Sequence, residues 1–123
     1  VTEMPSLMRL ATGAAKHAAT RQTVLATNVA NADTPGFRAR DMASFSPDAD
    51  RLDLRRANAR HMAGASDRTE PEMLRDARAD PNGNTVSLED QVLRGVEASR
   101  AHSRAVTIYS ASLDLLRASL GRR

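Results

Sequence analysis

The stretch NVANADTPGF, from Asn28 to Phe37, divides the chain. Thr34 precedes a proline, which pushes it out of the helical region. Pro35 and Gly36 suit the two central positions of a type II turn, where glycine supplies the positive φ. Asn31 and Asp33 have short side chains that can bond the free backbone groups at a helix end. Asn28, Asn31, Asp33, Thr34, Pro35, Gly36 and Phe37 together read as a helix stop followed by a tight turn.

Upstream of the stop the pattern is helical, from about Ser6 to Asn31, with Pro5 and Ser6 as start signals. Leu7, Leu10, Ala14, His17, Arg21, Val24 and Asn28 alternate steps of three and four, flanked by Ala18 and Leu25. Three members of this stripe, His17, Arg21 and Asn28, are polar. A helix of that length would measure about 39 Å. Downstream, FRARDMASF alternates charge and bulk in an extended manner. From about Asp41 to Gly83, Pro47, Pro71, Pro81, Gly64, Gly83 and many charges interrupt any long element. Short helical turns fit after Ser46-Pro47 and after Glu70-Pro71. Structureless loops beyond ~12–15 residues are uncommon in compact domains, so this middle is expected to be disordered in the free chain or ordered by a partner.

The last segment carries the stronger helical signal. Ser87-Leu88-Glu89-Asp90 opens it as a capping box with Asp in place of the usual Glu. Val92, Val96, Ser99, Ser103, Val106, Ser110, Leu113, then Leu116 or Arg117, and Leu120 follow the three–four alternation, and Gly121 marks the end. Such a helix would be about 50 Å long. Ser99, Ser103 and Ser110 fall in the expected seam, where small residues let a second helix approach. The expected fold is therefore all-α: two long terminal amphipathic helices, about 6–31 and 88–120, paired as a coiled-coil-like hairpin around an irregular or partly disordered middle. As segments, this gives 1–40, 41–86 and 87–123 within one domain whose two ends are paired.

Composition narrows the function. Aromatics make up 2% of the 123 residues: Phe37, Phe45 and Tyr109. With each aromatic burying ~150–250 Å², so few cannot fill a thick core, and the chain suits thin helix–helix seams shared with a partner or with copies of itself. The net charge is +3, but acids alternate with the arginines. Nucleic-acid binding calls for basic residues gathered on one face, often with aromatics to stack bases, so that class is disfavoured. The chain has no cysteine, which excludes disulfides, thiolate metal sites and a cysteine nucleophile. No run approaches the ~18 apolar residues of a membrane span. The basic-then-apolar pattern of a cleaved secretory signal is also missing. Glycine-rich phosphate loops, nucleophile elbows and zinc-protease helices are absent as well. His17, His61 and His102 lie far apart in sequence and read as interfacial or solvent-facing. Asp48, Asp50 and Asp53 lack the glycine and terminal glutamate of a calcium loop. No catalytic residue, cofactor, metal or small-molecule ligand is expected.

RQTVLATNVANADTPGFRARD, Arg21 to Asp41, resembles the N-terminal motif of bacterial flagellar axial proteins, the rod and hook group. NGNTVSLEDQV, Asn82 to Val92, is a second match, and RRANARHMAG is similar to the poorly defined middle of that family. With the basic FRARD and the short length, the second match favours the proximal rod, and within it another branch than FlgC, which is otherwise built alike. The resemblance implies a structural protein of the flagellar basal body, stacked helically in the periplasmic rod. It implies terminal helices needed for assembly, and passage through the flagellar type III export system without a cleaved signal. The implied partners are further copies of the chain, FlgC-like rod subunits, a FliE-like adaptor and the export gate. Leu7, Leu10, Val24, Leu25, Val92, Val96, Val106, Leu113, Leu116 and Leu120 are the expected packing and assembly positions. A non-polymerising helical adaptor or export-related binding module, another rod protein such as FlgC, and a basic nucleic-acid-associated hairpin are the competing readings.

Overall fold

The computed structural model describes residues 4–47 and 70–121. Two long helices dominate it: α1 spans Met4–Ala30 and α2 spans Leu88–Leu120. They run antiparallel. Asn28 meets Gln91, Arg21 meets Glu97 and His102 meets the carbonyl of Ala15, so positions rise along one helix as they fall along the other. Between them lie two short strands, β1 (Arg40–Asp41) and β2 (Glu72–Met73). These pair antiparallel, Arg40 opposite Met73 and Asp41 opposite Glu72.

Local chemistry explains the helix ends. α1 begins at Met4, two residues before the expected start, and Pro5 falls in its first turn, where a missing N–H leaves no bond unmade. At its end, the Phe37 N–H donates to Thr34 O across Pro35-Gly36, and Gly36 has φ 73°. That is the type II turn read from the sequence. Ser87 caps α2 with extended φ and ψ, its hydroxyl accepting from the Asp90 N–H at 3.4 Å. Gly121 closes α2 from a right-handed conformation, its N–H donating to Arg117 O.

The seam between the helices is made of small residues. α1 buries Ala11, Ala18, Leu25 and Asn28; α2 buries Gln91, Ala98, Ala105 and Ser112. Steps of seven recur on both helices, the spacing that keeps one face toward a partner. On α2 this seam lies one residue N-terminal to the expected stripe, a rotation of roughly 100°. Val92, Val96, Ser99, Ser103, Val106 and Ser110 consequently face outward within the single chain. The physical reason is size: alanines let two backbones approach closely, and the larger aliphatic side chains are displaced to the outer surface. On α1, Ala14, His17, Arg21 and Val24 are half-buried at the seam's margin.

The middle also departs from expectation where it is described. Glu72 and Met73 form a strand rather than a helical turn after Glu70-Pro71, because β1 offers them a partner and Ala39 O accepts from the Leu74 N–H. Residues 42–47 lie along α1. The His17 Nε2–H donates to Ala43 O at 2.7 Å, and the Phe45 ring sits 5.6 Å from the imidazole. Gly13 lies beneath that ring, where a Cβ would meet Phe45 at 3.4 Å, an ordinary contact distance. The other expected turn, after Ser46-Pro47, runs into undescribed residues, as do Asp48, Asp50, Asp53 and His61.

A candidate assembly joint

Among the described residues, most side-chain hydrogen bonds between distant parts of the chain gather where α1 ends, β1 passes and α2 begins. Asn28 is 1% exposed. Its Nδ2 donates to Arg40 O at 2.6 Å and to Gln91 Oε1 at 2.8 Å, while its Oδ1 accepts from the Arg40 N–H at 3.1 Å. Asn28 therefore pairs with β1 as a neighbouring strand would, and reaches α2 at the same time. Both amide orientations follow from the network, since Arg40 presents one donor and one acceptor to it.

Asn84 does the complementary work from the other side. Its Nδ2 lies 2.9 Å from Asn31 O, 2.9 Å from Ala32 O and 2.8 Å from Thr34 O. Its Oδ1 accepts from the Val86 N–H at 2.7 Å. A helix end leaves its last carbonyls without intrahelical donors, and here one buried amide from more than fifty residues away gathers the carbonyls just beyond α1. Thr85 ties the same loops: its hydroxyl accepts from the Ala39 N–H, and its own N–H donates to Phe37 O. Within the stop itself, Asn31 Nδ2 donates to Thr27 O and the Thr34 hydroxyl donates to Asn31 Oδ1.

A charged cluster completes the joint. The Asp41 carboxylate is 7% exposed and takes a two-pronged contact from Arg21, Nε to Oδ1 at 2.8 Å and Nη2 to Oδ2 at 2.9 Å. Arg94 Nη1 reaches Oδ2 at 2.8 Å, and the Met42 N–H donates to Oδ1. Burial pushes the Asp41 pKa up, but hydrogen bonds from Arg21, Arg94 and Met42 outweigh it and hold the carboxyl below its ordinary value. Arg21 is shifted the opposite way, raised by its hydrogen bond to Asp41 against the cost of burial. Arg94 is raised by Asp90, with Asp41 adding to it against burial. One carboxylate from β1 thus binds both helices.

The turn residues expected from the sequence all sit in or beside this joint, in unequal roles. Asn28 and Asn31 bond backbone, Thr34, Pro35, Gly36 and Phe37 make the turn, and Asp33 is exposed. The packing positions scatter. Leu25 is buried in the seam, Val24, Leu113 and Leu116 are half-buried, and Leu7 and Leu10 are exposed at the edge of a groove between the helices. Val92, Val96, Val106 and Leu120 point outward, Val92 being 63% and Leu120 81% exposed. Sequence reading passed over Asn84, Thr85, Gln91, Arg94 and the pairing of Asp41. A usable signal existed for Asn84 and Gln91, both polar and both within NGNTVSLEDQV, beside a capping signal that explains neither.

Residues 8–38 match the family described as Flagella basal body rod protein. Over 106 residues the chain is 31% identical to the flagellar basal body rod protein FlgB of Agrobacterium fabrum (strain C58 / ATCC 33970), with 78% of each chain covered. The family match covers α1 from Met8 onward and the Pro-Gly turn and ends one residue past it, and the longer alignment extends over most of the chain. Among the described residues no helix is long and apolar enough to cross a membrane. The chain belongs to the flagellar basal body rod proteins.

Proposed function

We propose that this chain is a structural subunit of the proximal rod that assembles helically through its two terminal helices. One observation carries the reading: alanines face inward and large aliphatic side chains face outward. Leu7, Leu10 and Val29 on α1, and Leu88, Val92, Leu93, Val96, Val106, Ile108, Leu115 and Leu120 on α2, are all exposed in the single chain. Scattered apolar residues on a surface are ordinary, but long stripes of them mark interaction faces.

The outer side of α1 supports the same reading. Between Arg21 and Asp33 it carries no charge, although a solvent-facing helix surface is normally charged. Thr20, Thr23 and Thr27 turn their hydroxyls back onto the carbonyls of Lys16, Ala19 and Thr23, leaving methyl groups toward the exterior. A neighbouring helix can lie on such a surface without burying an unpaired polar group. In this account the joint fixes the angle at which each helix meets its neighbour, while FlgC-like subunits, a FliE-like adaptor and the export gate flank the stack. Export through the type III system without a cleaved signal belongs to the same proposal.

The test is a chain with Val92→Ser and Val106→Ser, expressed in place of the wild type in motile cells. The expected result is a monomer with native helix content, no incorporation into basal bodies and loss of motility. Normal motility with normal incorporation would refute assembly through α2. Deletion of residues 111–123 is expected to block incorporation as well.

A further inference from the structure

We propose that Asn82-Gly83 is a deamidation site that the fold restrains, and that its isoaspartyl product unfastens the joint. The chemistry is intrinsic to the pair. The glycine nitrogen attacks the asparagine Cγ, a C–N bond forms, ammonia leaves, and a five-membered succinimide results. Water then opens the ring at either carbonyl, giving aspartate or isoaspartate. Glycine favours the attack because it has no side chain to crowd the nitrogen. Of the five asparagines, Asn82 alone precedes a glycine.

The geometry shows both access and restraint. Asn82 is exposed, so water reaches its side chain. Both reacting groups, however, are engaged. The Gly83 N–H donates to Asp80 O at 2.8 Å, closing the turn Asp80–Gly83, and Asn82 Oδ1 accepts from the Asn84 N–H at 3.0 Å. The turn is also held from outside. The Gly36 N–H donates to Asn82 O at 3.0 Å. Gly83 has φ 84°, a backbone conformation that side-chain-bearing residues rarely adopt, and lies against Gly36. Ring closure must free the Gly83 nitrogen and swing the Asn82 side chain, so the turn has to open first.

The two products differ in consequence. Aspartate keeps the main chain and an acceptor at Oδ1. Isoaspartate adds a methylene to the main chain, which carries Asn82 O away from Gly36 and shifts Asn84. Asn84 is the residue whose amide holds the carbonyls of Asn31, Ala32 and Thr34. Damage at the turn is thereby relayed to the end of α1.

The test incubates the purified chain at neutral pH, in native buffer and in urea, beside a synthetic peptide covering residues 78–88 in the same solutions. Mass spectrometry with fragmentation that separates aspartate from isoaspartate follows each asparagine. Asn82 is expected to react first, with the folded chain slower than its peptide by about tenfold or more, as a site requiring local opening, and the urea-treated chain matching the peptide. Equal rates in folded chain and peptide would overturn the restraint, and a slow Asn82 in urea would overturn the site. Asn82→Asp is expected to melt as the wild type does, whereas isoaspartyl chains refolded from urea melt lower. Identical melting of the two would overturn the consequence for the joint.

Discussion

The two ends of the hairpin are built from different materials. At the joint, Asn28, Asp41, Asn84, Thr85 and Gln91 are buried and hydrogen-bonded across four segments. Toward the opposite end, Ala11 and Ala105 are buried, and the surrounding large side chains are mostly exposed. An alanine seam offers little apolar area, at ~25 cal/mol per Å², so it aligns the helices without holding them strongly. A buried polar network fixes geometry through its paired groups and is costly where one is unpaired, as Gln91 Nε2 is among the described residues. The contrast concentrates the bonds that set geometry at one end, while apolar surface for neighbours runs along both helices.

If this contrast is right, the largest effect belongs to Asn84→Ala. It leaves the carbonyls of Asn31, Ala32 and Thr34 without their donor and is expected to cost about 3 kcal/mol, read as a lower urea midpoint. Asp41→Ala comes next, at about 2 kcal/mol, below the usual cost of breaking a buried pair because both arginines reach solvent. Its pH dependence has a definite sign. The folded pKa of Asp41 lies below the ordinary carboxylate value, so its contribution is full above the unfolded pKa of ~3.9 and fades as pH falls through the folded value. The stability gap between wild type and Asp41→Asn is therefore expected to narrow on acidification below that point. A gap that widens in acid would contradict the charged joint.

Smaller effects sharpen the other side of the comparison. Ala98 is wholly buried, so Ala98→Leu overpacks the seam and is expected to cost about 1–2 kcal/mol, measured by thermal melting. Val96→Ser lies on the outer surface and is expected to change the free chain by less than about 0.5 kcal/mol. Its effect is expected in assembly assays instead.

These differences also explain what could be read in advance. Pro35-Gly36, Ser87 and Gly121 act through their immediate neighbours, so the helix limits and the turn were legible from residue type alone. The seam was not, because periodicity weighted by side-chain size selects Val92, Val96 and Val106, whereas the chain packs on Ala98 and Ala105. On α1 the polar members of the stripe were informative: Arg21 and Asn28 looked like defects in a two-helix contact and are instead the residues that reach β1. Asn84 was illegible as a cap because its partners lie some fifty positions away. Only the return of the chain to the start of α2 brings it there.

Amide hydrogen exchange on the free and the assembled chain tests the central claim most directly. In the free chain, the amides of Thr85, Val86 and Arg40 are expected to exchange more slowly than those of residues 8–15 and 105–116. On assembly the latter are expected to gain the larger protection. Uniform protection along both helices of the free chain, unchanged on assembly, would contradict the division between a fastened joint and a loosely held opposite end.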